Sequence, residues 1–457
     1  MNWTQAAERL HAGEISLLSL WGEPGRAHMA VIDNRSHELA LLQYECVANR
    51  FPSIGRLHPP AIRLERAMRD LTGLEAEGAP DTRPWLRHSG DYPFLPVEGE
   101  SLHQIPVGPV HAGIIEPGHF RFTANGETVV RLEERLGYVH KGIDGLMAGS
   151  SVERAARLAG RVSGDSTAAY GFAFSRAVEN ALGAQVAPRA IWLRALACEL
   201  ERLANHFGDI GAVCNDAAFS IMHASCGLLR EQVLRTAHAC FGHRLMMDSI
   251  IPGGMRVDLA ADGARRVSEL VALVRRHFPA LVELYENTAS LKDRTVDTGI
   301  LLPELARQFA AGGYVGRASG RRFDARRAPG YAPYDELRFE VPVVNAGDVN
   351  ARVWIRIQEV EQSLGLVEQI LAALPAGPVQ AAFPASPGEG LALVEGFRGD
   401  IFAWVRIGAG GNVERCHLRD PSWFQWPLLE AVIEGNIVAD FPLCNKSFNC
   451  SYSGHDL

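Results

Sequence analysis

The chain has 457 residues, of which 47% are hydrophobic and 21% are charged, and its formal net charge at pH 7 is −8. This length and composition predict two or three globular domains and exclude a disordered or fibrous protein. The acidic balance and the lack of a long basic block exclude a nucleic-acid-binding protein, because binding to phosphates requires a clustered face of Lys and Arg.

Three further features of the sequence indicate the cellular compartment in which the chain works. Charges, Pro and Gly interrupt the long apolar windows, so no membrane span is predicted. Residues 1–21, MNWTQAAERLHAGEISLLSLW, carry charges where a signal peptide needs an unbroken apolar centre, so export is not predicted. The cysteines form no CxxC pair, which favours buried thiols in a reducing cytoplasm.

In chain order, the first part of the sequence changes from a strand period to a helical period. Residues 1–90 alternate short apolar runs with helical patterns, which predicts a small α/β domain. Residues 110–133 are predicted to form a β-hairpin, because alternating segments flank Asn125 and Gly126, a pair suited to a tight turn. Residues 140–310 have apolar residues three and four apart in long segments, which predicts an antiparallel helical bundle.

The second part of the sequence mixes a loop, strands and a helix. Residues 316–374 are predicted to form a basic, Gly-rich loop, a short strand and a long helix, and 388–423 a β-hairpin with its turn at GAGGN, 408–412. The predicted fold is therefore α+β. A small α/β domain over 1–90 precedes a second domain over 95–457, which contains a β-hairpin, a central antiparallel helical bundle, a C-terminal β-hairpin and a buried tail.

The stretch RVSGDS at 161–166 holds two serines, Ser163 and Ser166, on either side of Asp165. A serine nucleophile needs a strained elbow such as GxSxG and a histidine to take its proton, and this stretch does not have that form. The histidines form no HxxxH pair with an adjacent acid, and GAGGN leads to a predicted strand rather than to a helix. Hydrolase, self-sufficient metal and dinucleotide sites are therefore not predicted.

A set of polar residues from remote segments remains as the candidate site. Glu116, in IIEPGH, has apolar, Gly and Pro neighbours, so burial there would favour its protonated form and suit it to a proton relay. A solvated acid in a turn is the alternative for this residue. The other members are His111, His119, Arg161, Asp165, Arg317, Arg321, Asp324, Arg326, Asp440, His455 and Asp456.

Several longer motifs, in this order along the chain, are similar to one protein family. They are GPVHAGIIEPGHFRF, RLGYVHKGIDGL, ELERLANHFGDIG, IIPGGM, GRASGRRFDARR, GDVNARVWIRIQE and DPSWFQWPLLEAVIEGNIVADFPLCNKSF. Together they resemble the large subunit shared by energy-converting nickel–iron hydrogenases of the formate hydrogenlyase and hydrogenase-4 type and by respiratory complex I, where it contributes to the quinone site. The segment at 65–86 resembles the end of a small complex I subunit, fused ahead of the large one.

The resemblance implies positions for the ligands of nickel and iron, and this sequence differs at all four. The hydrogenases of the family hold the two metals with four cysteine thiolates, from an RxCGxC motif and a C-terminal DPCxxC motif. Here Ser163 and Ser166 occupy the first pair of positions, and Ser451 and Gly454 occupy the second. A nickel–iron centre is therefore not predicted.

The resemblance also implies donors for quinone, and these are replaced as well. Ile115 stands where complex I has a histidine on the hairpin, and Gly164 where it has a tyrosine. His111 matches a different histidine of the motif. His119 and Tyr170 are predicted to line the cavity by another route, and quinone stays an alternative ligand.

The resemblance leaves two possibilities for the chemistry of this cavity, namely proton transfer and a site with a single thiolate. Glu116 matches a glutamate that passes protons in the hydrogenases, and Arg161 matches the motif arginine. Asp165, between the two serines, is a third proton-relay candidate. Cys444 and Cys450, the latter one position from a ligand place, leave a site with a single thiolate open.

We therefore predict a cavity-forming subunit of a membrane-associated, complex I-like redox complex, without hydrogenase activity, for electron transfer coupled to ion translocation. The chain would bind no cofactor itself and would dock on a small iron–sulphur subunit that carries the cluster. It would reach the cytoplasmic face of the membrane only through antiporter-like and other membrane subunits. The basic loop at 317–327 would support contacts near the cavity and with neighbouring subunits.

Two alternatives stay open at this point. The first is a quinone-reducing, NADH dehydrogenase-like subunit with a redrawn site around His111, His119 and Tyr170. The second is a structural or coupling subunit with no redox chemistry of its own.

Overall fold

The computed structural model describes residues 1–88, 90–384 and 386–457, and it has the α+β architecture that the sequence predicts. Its first elements are α1 (Trp3–His11), β1 (Ile15–Glu23), β2 (Arg26–Asp33), β3 (Leu39–Glu45), β4 (Arg50–Pro52), α2 (Ile62–Thr72) and β5 (Glu75–Glu77). Strands β1, β2 and β3 form an antiparallel sheet in that order, and β4 pairs with β5 in parallel. A capping box between Asn2 and Gln5 starts α1, and Gly73, at φ 74°, ends α2.

The next sheet contains the predicted hairpin, in a shorter form. Its strands are β6 (Leu102–Val107), β7 (His119–Asn125) and β8 (Thr128–Arg135), paired in that order. The turn between β7 and β8 consists of Gly126, at φ 59°, and Glu127, one position later than predicted, because Asn125 ends β7 and pairs with Thr128. The hairpin begins at His119 rather than at residue 110, because Pro109 and Pro117 have no N–H to donate to a ladder. Residues 108–118 form a loop instead.

A group of helices follows and forms the centre of the molecule. Its elements are α3 (Ile143–Met147), α4 (Val152–Ala159), α5 (Thr167–Leu182), α6 (Pro188–Asp216), α7 (Ser220–Phe241), β9 (Ile250–Ile251), β10 (Gly254–Met255), α8 (Gly263–Asn287), α9 (Ala289–Thr295), α10 (Pro303–Gln308), α11 (Gly313–Ala318) and α12 (Val349–Ala373). Helix α6 is buried along most of its length and packs against α7 and α12, which both contact α8. Only three residues join α6 to α7, so these long helices run antiparallel.

The last segment departs from its prediction in two details. Its elements are β11 (Gly388–Glu395), β12 (Asp400–Ile407), β13 (Val413–Arg419), α13 (Ser422–Ile433), α14 (Phe441–Phe448) and α15 (Tyr452–Asp456). The predicted hairpin is a three-stranded meander, because the turn at 396–399 adds β11 to the pair around GAGGN. The short strand predicted within 316–374 does not form, and Pro342 interrupts the extended segment there. The tail from 451 to 457 is buried, as predicted.

The N-terminal sheet packs directly against the C-terminal one. Trp21 of β1 stacks between His28 and His417, with ring centroids 5.2 and 4.7 Å apart. Ser19 Oγ lies 2.7 Å from His417 Nε2, and His417 Nδ1 lies 3.1 Å from an Asp144 carboxylate oxygen. This series resembles a hydrolase triad in geometry, but Ser19 is wholly buried. Since no substrate reaches Ser19, the series serves to join the two sheets. No described helix combines the length and apolarity that crossing a membrane requires.

Candidate functional site

A cavity of about 230 Å³ opens where four remote segments meet. The loop at 108–118 contributes Glu116, the turn before α5 contributes Ser163 and Asp165, and the turn between β11 and β12 contributes Arg398. The segment that joins α14 to α15 contributes Ser451. The fold therefore brings serines from both ends of the second domain into one cavity wall.

A carboxylate and an arginine organise this wall. Ser163 Oγ and Ser166 Oγ donate to Asp165 Oδ1 at 2.6 and 3.0 Å, and Arg398 Nη2 donates to Asp165 Oδ2 at 2.7 Å. Arg398 Nη1 also donates to Ser166 Oγ at 3.2 Å. Ser163 Oγ lies 3.1 Å from Ser451 Oγ, which accepts a hydrogen bond from the Gly454 N–H at 2.8 Å. The polar groups of the wall thus satisfy one another.

The electrostatics of the wall favour an ionised Asp165. Burial opposes the charged form, but the Arg398 guanidinium and the two serine hydroxyls outweigh it and lower the pKa of Asp165. Arg398 is itself almost fully buried and also donates from Nε to the Asn449 carbonyl at 2.5 Å. Charge-assisted hydrogen bonds of this kind are stronger than neutral ones and hold both groups in place.

The position of Gly454 has no room for a side chain. A Cβ atom there would lie 2.5 Å from Asp420 Oδ2 and 2.9 Å from the Ser451 Cβ. Asp420 is fixed, because its Oδ2 accepts from the Tyr170 hydroxyl at 2.7 Å and its Oδ1 accepts from the Ser422 N–H at 2.9 Å. A carboxylate therefore fills the space into which a ligand at this position would project.

The residues of this cavity do not fit a nickel–iron group. Such a group takes soft thiolate ligands, whereas all four positions hold serine or glycine, each hydrogen-bonded within the wall. One thiol, that of Cys450, lines the cavity, but burial raises its pKa far above the ordinary value and keeps it protonated. Across the described ranges, no three His, Cys, Asp or Glu side chains are grouped as metal ligands.

Glu116 is placed at the cavity but is not desolvated. Its side chain is exposed, which contradicts the expectation that its apolar neighbours would bury it. Ile114, an apolar neighbour on the same loop, is itself fully exposed and does not bury Glu116. Glu116 Oε2 accepts a hydrogen bond from the Ser453 N–H at 3.0 Å, which links the loop to the tail. Its proton-relay role stays a prediction.

Arg161 is turned away from the cavity, contrary to expectation. Its guanidinium pairs with both carboxylate oxygens of Asp248, at 2.6 and 2.8 Å, on the outside of the molecule. Arg398 supplies the cation of the wall instead, and the sequence pattern did not identify it. A signal was present in EGFRGD, where glycines flank an arginine at a turn, but nothing local tied that turn to Asp165.

The three donors of the alternative quinone site do not share a surface. His111 Nε2 lies 3.3 Å from the Tyr452 hydroxyl beside the cavity. His119 is buried against Phe94, at 5.1 Å between ring centroids, and burial lowers its pKa. Tyr170 is wholly buried, and its hydroxyl donates a hydrogen bond to Asp420. Neither His119 nor Tyr170 lines the cavity, so the expected route to it is not formed.

The basic loop at 317–327 lies behind the site rather than at it. Arg317 is buried and pairs with Glu359 at 2.7 Å and Glu395 at 2.9 Å. Arg326 is buried likewise, and pairs with Asp324 at 2.7 Å and Glu199 at 2.9 Å. These ion pairs tie the loop to α6, α12 and β11, so the two arginines have a packing role.

The tail residues of the candidate set also have structural partners. Asp440 pairs with Arg294 at 3.4 Å. His455 stacks on Trp423, at 4.0 Å between ring centroids, and its Nδ1 lies 2.8 Å from Asp456 Oδ1. Asp456 in turn accepts backbone N–H bonds, so this part of the set anchors the tail.

The fold and the cavity can be compared with known proteins. Residues 26–100 match the family model for the respiratory-chain NADH dehydrogenase 30 Kd subunit, and residues 216–386 match the model for the 49 Kd subunit. Formate hydrogenlyase subunit 5 of Escherichia coli is 32% identical over 447 residues, which cover 91% of this chain and 79% of that protein. The carbon monoxide-induced hydrogenase of Rhodospirillum rubrum is 31% identical, over 76% of this chain and 98% of the relative.

Two further likenesses extend the comparison. An NADH-quinone oxidoreductase subunit of a Roseiflexus species is 31% identical, over 74% of this chain and 94% of the relative. Among solved structures, a chain of an archaeal respiratory membrane complex, the membrane-bound sulfane sulfur reductase, superposes with a TM-score of 0.74 at 26% identity. That alignment covers 79% of this chain and all of that one.

A 30 Kd-type domain ahead of a 49 Kd-type domain places the chain in the class of complex I-like and hydrogenase-like large subunits of membrane-associated redox complexes. The chain belongs to the family that includes formate hydrogenlyase subunit 5, the carbon monoxide-induced hydrogenase and the 49 Kd-type subunits of NADH-quinone oxidoreductase. The family membership predicted from the motifs is confirmed.

Proposed function

We propose that the chain is the cavity-forming subunit of a membrane-associated redox complex that works without a nickel–iron centre. The observation that carries this proposal is the hydrogen-bonded cluster of Ser163, Asp165, Arg398 and Ser451. It stands where the family resemblance implies metal ligands. An ion pair and hydroxyl groups satisfy one another there and offer no thiolate to a soft metal.

The loop that borders the cavity supports docking of a partner subunit. Ile114 is 100% exposed and Val110 is 80% exposed, and both lie on the loop at 108–118. Large apolar side chains exposed together are typical of a surface that is covered in an assembly. The proposed occupant is a small iron–sulphur subunit, whose cluster would bring electrons to the cavity. The chain would then be a peripheral subunit at the cytoplasmic face of the membrane, held through membrane subunits.

The proposed activity is electron transfer coupled to ion translocation. It rests on the relatives, whose names include a formate hydrogenlyase subunit, NADH-quinone oxidoreductase subunits and a respiratory sulfane sulfur reductase. A quinone-reducing site around His111, His119 and Tyr170 is not proposed, because only His111 lies beside the cavity. The cavity keeps the ionised carboxylate of Asp165 and the exposed side chain of Glu116 at its wall, and these two remain the candidates for a proton relay.

The first experiment is elemental and infrared analysis of the complex purified through a tag on this chain. We expect no stoichiometric nickel and no cyanide-type infrared bands. Nickel together with such bands would overturn the proposal. Formate hydrogenlyase, isolated in the same way, is the positive control for both measurements.

A second experiment separates a redox subunit from a purely coupling one. The complex is placed in vesicles, and electron transfer and ion uptake are measured with Asp165→Asn and with the matched exposed variant Asp335→Asn. We expect Asp165→Asn to slow electron transfer at least tenfold and the control to leave it unchanged. Unchanged electron transfer with lost ion uptake would instead favour the coupling role.

A further inference from the structure

A second, larger opening lies between the N-terminal domain and the second domain. It has a volume of about 870 Å³ and shares no lining residue with the cavity described above. One wall comes from the end of α1, the start of β1, the end of β2 with the loop after it, and the segment around Leu57 and His58. The other comes from α10 and from residues 321–323 of the basic loop. We refer to this opening as the interdomain cleft.

The interdomain cleft is rich in positive charge. Arg307, Arg321 and Arg322 line it, and Glu304 is the one carboxylate among its lining residues. Glu304 pairs with Arg307 at 3.1 Å. In the described ranges, no carboxylate oxygen lies within 4.0 Å, the limit for an ion pair, of the guanidinium of Arg321 or Arg322. Neither of these two guanidinium groups therefore forms an ion pair within the described part of the chain, and Asp400 and Glu395 act on Arg321 only from beyond that distance.

Arg321 differs sharply from its buried neighbours on the same loop, whereas Arg322 is exposed. Arg317 and Arg326 each make at least two ion pairs with buried carboxylates. Arg321, by contrast, donates one hydrogen bond from Nη1 to the Ala311 carbonyl at 3.0 Å and rests on the Phe323 ring at 4.4 Å. Its Nε and Nη2 groups donate to no described atom. Burial lowers the pKa of Arg321 to about 10 against the opposing effect of the Asp400 and Glu395 charges, and Arg321 stays charged at neutral pH.

The opposite wall carries a second unsatisfied polar group. His58 is only 4% exposed, and its Nε2 has no hydrogen-bond partner within the described part of the chain. Burial lowers its pKa to about 4, so it is neutral at physiological pH. A buried polar atom without a partner costs free energy. A ligand or an ordered water in the cleft is the ordinary way to offset such a cost.

The rest of the cleft is apolar. Leu302 is 60% exposed and Leu57 is 42% exposed, both at the lining of the cleft, and the Phe323 ring faces the same space. The volume lies within the range of about 300–1,000 Å³ that small-molecule sites occupy. A cleft of this kind suits a ligand whose anionic groups contact the unpaired guanidinium groups and whose apolar part contacts the apolar walls.

We propose that the interdomain cleft binds a small organic anion, with phosphate or carboxylate oxygens held by Arg321 and Arg322 and an apolar body against Phe323 and Leu302. The planar guanidinium fork binds either kind of oxyanion through paired N–H donors. Because one wall comes from each domain, the bound anion would also hold the two domains together. This site is independent of the redox cavity and of its proposed function.

Calorimetric titration of the purified full chain tests the proposal. The probes are pyrophosphate and citrate, at constant ionic strength so that screening does not change between them. We expect at least one of them to bind, and the double variant Arg321→Gln, Arg322→Gln to weaken binding at least tenfold. The probe that binds more tightly assigns the head group as phosphate or carboxylate. The matched control is Arg154→Gln, an exposed arginine outside the cleft, which should bind as the unaltered chain does.

Two further measurements keep the proposal open to refutation. Thermal unfolding without ligand checks that the double variant folds, and Arg321→Lys, which keeps the charge but loses the fork, should bind more weakly than the unaltered chain. Failure of both probes to bind at millimolar concentration would overturn the proposal. Equal weakening in Arg154→Gln would also overturn it, as would an acidic peptide that binds more tightly than either probe.

Discussion

The hydroxyl of Ser163 lies 3.1 Å from the hydroxyl of Ser451, 288 residues further along the chain. Both hydroxyls belong to one hydrogen-bond network, in which Ser163 donates to Asp165 and Asp165 pairs with Arg398. In the family, the resemblance implies metal-binding thiolates at these two serine positions. Here the same positions form a compact polar wall, which is stable because every group in it has a partner.

Filling the position of Gly454 should destabilise the protein. Gly454→Ala places a Cβ 2.5 Å from the fixed Asp420 carboxylate, so the expected loss of unfolding free energy is about 1–3 kcal/mol. Gly227→Ala is the matched control, since Gly227 is in helix α7 with nothing within 4 Å. That variant should be as stable as the unaltered chain or more so, by about 0.5–1 kcal/mol. Urea unfolding measures both. Equal effects of the two substitutions would contradict the tight packing at Gly454.

The stability that Asp165 contributes should depend on pH. Its folded-state pKa lies below the ordinary value of 3.8, so its ion pair stabilises the fold above about pH 4 and is lost as the pH falls through the folded value. Asp165→Asn should therefore be less stable than the unaltered chain near neutral pH, and the difference should shrink below about pH 4. Urea unfolding across this range measures the gap. A gap that stays constant with pH would rule out the charged form as its source.

Glu201 should give the opposite dependence of stability on pH. Its carboxylate is buried and accepts the Ala168 and Ala169 N–H groups at 2.7 and 3.1 Å, and burial raises its pKa from 4.5 to about 8. The folded chain then holds a proton that the unfolded chain has released, so stability falls as the pH rises from 4.5 to 8.

Glu201→Gln should flatten this part of the stability curve, because an amide does not titrate. The control is Glu153→Gln, an exposed residue of helix α4, which should leave the curve unchanged. Chemical unfolding at half-unit steps of pH supplies the measurement. A slope that persists in Glu201→Gln would assign the pH dependence to another group.

Changing the loop beside the cavity should release the partner subunit. Ile114→Asp introduces a charge at a side chain that is 100% exposed, so it should not affect folding. If this loop is covered by the iron–sulphur subunit, burying an unpaired carboxylate there would weaken the association at least tenfold. Co-purification through a tag on this chain detects the loss. Val130→Asp, at another exposed apolar side chain, is the control and should retain the partner.

The sequence by itself determined the features that depend on local signals. The order of motifs identified the family, and serines and glycine at the ligand positions indicated a changed site. The tight turn at Gly126 and the long helices around α6 followed from turn chemistry and apolar period, although the turn lies one residue later than Asn125 and Gly126 suggested. The length of the hairpin was overestimated, because Pro109 and Pro117 limit the ladder more than the alternation of its side chains suggested.

Only the tertiary structure decided which side chains meet and which are buried. Arg398, not Arg161, faces Asp165, because the β11–β12 turn crosses the cavity while Arg161 reaches Asp248 outside. Glu116 is exposed although its neighbours in sequence are apolar. Burial and ion pairing depend on segments hundreds of residues apart, and a local pattern carries no information about which of them pack together. For that reason the site was predicted as a region from the sequence, and its chemistry emerged only from the fold.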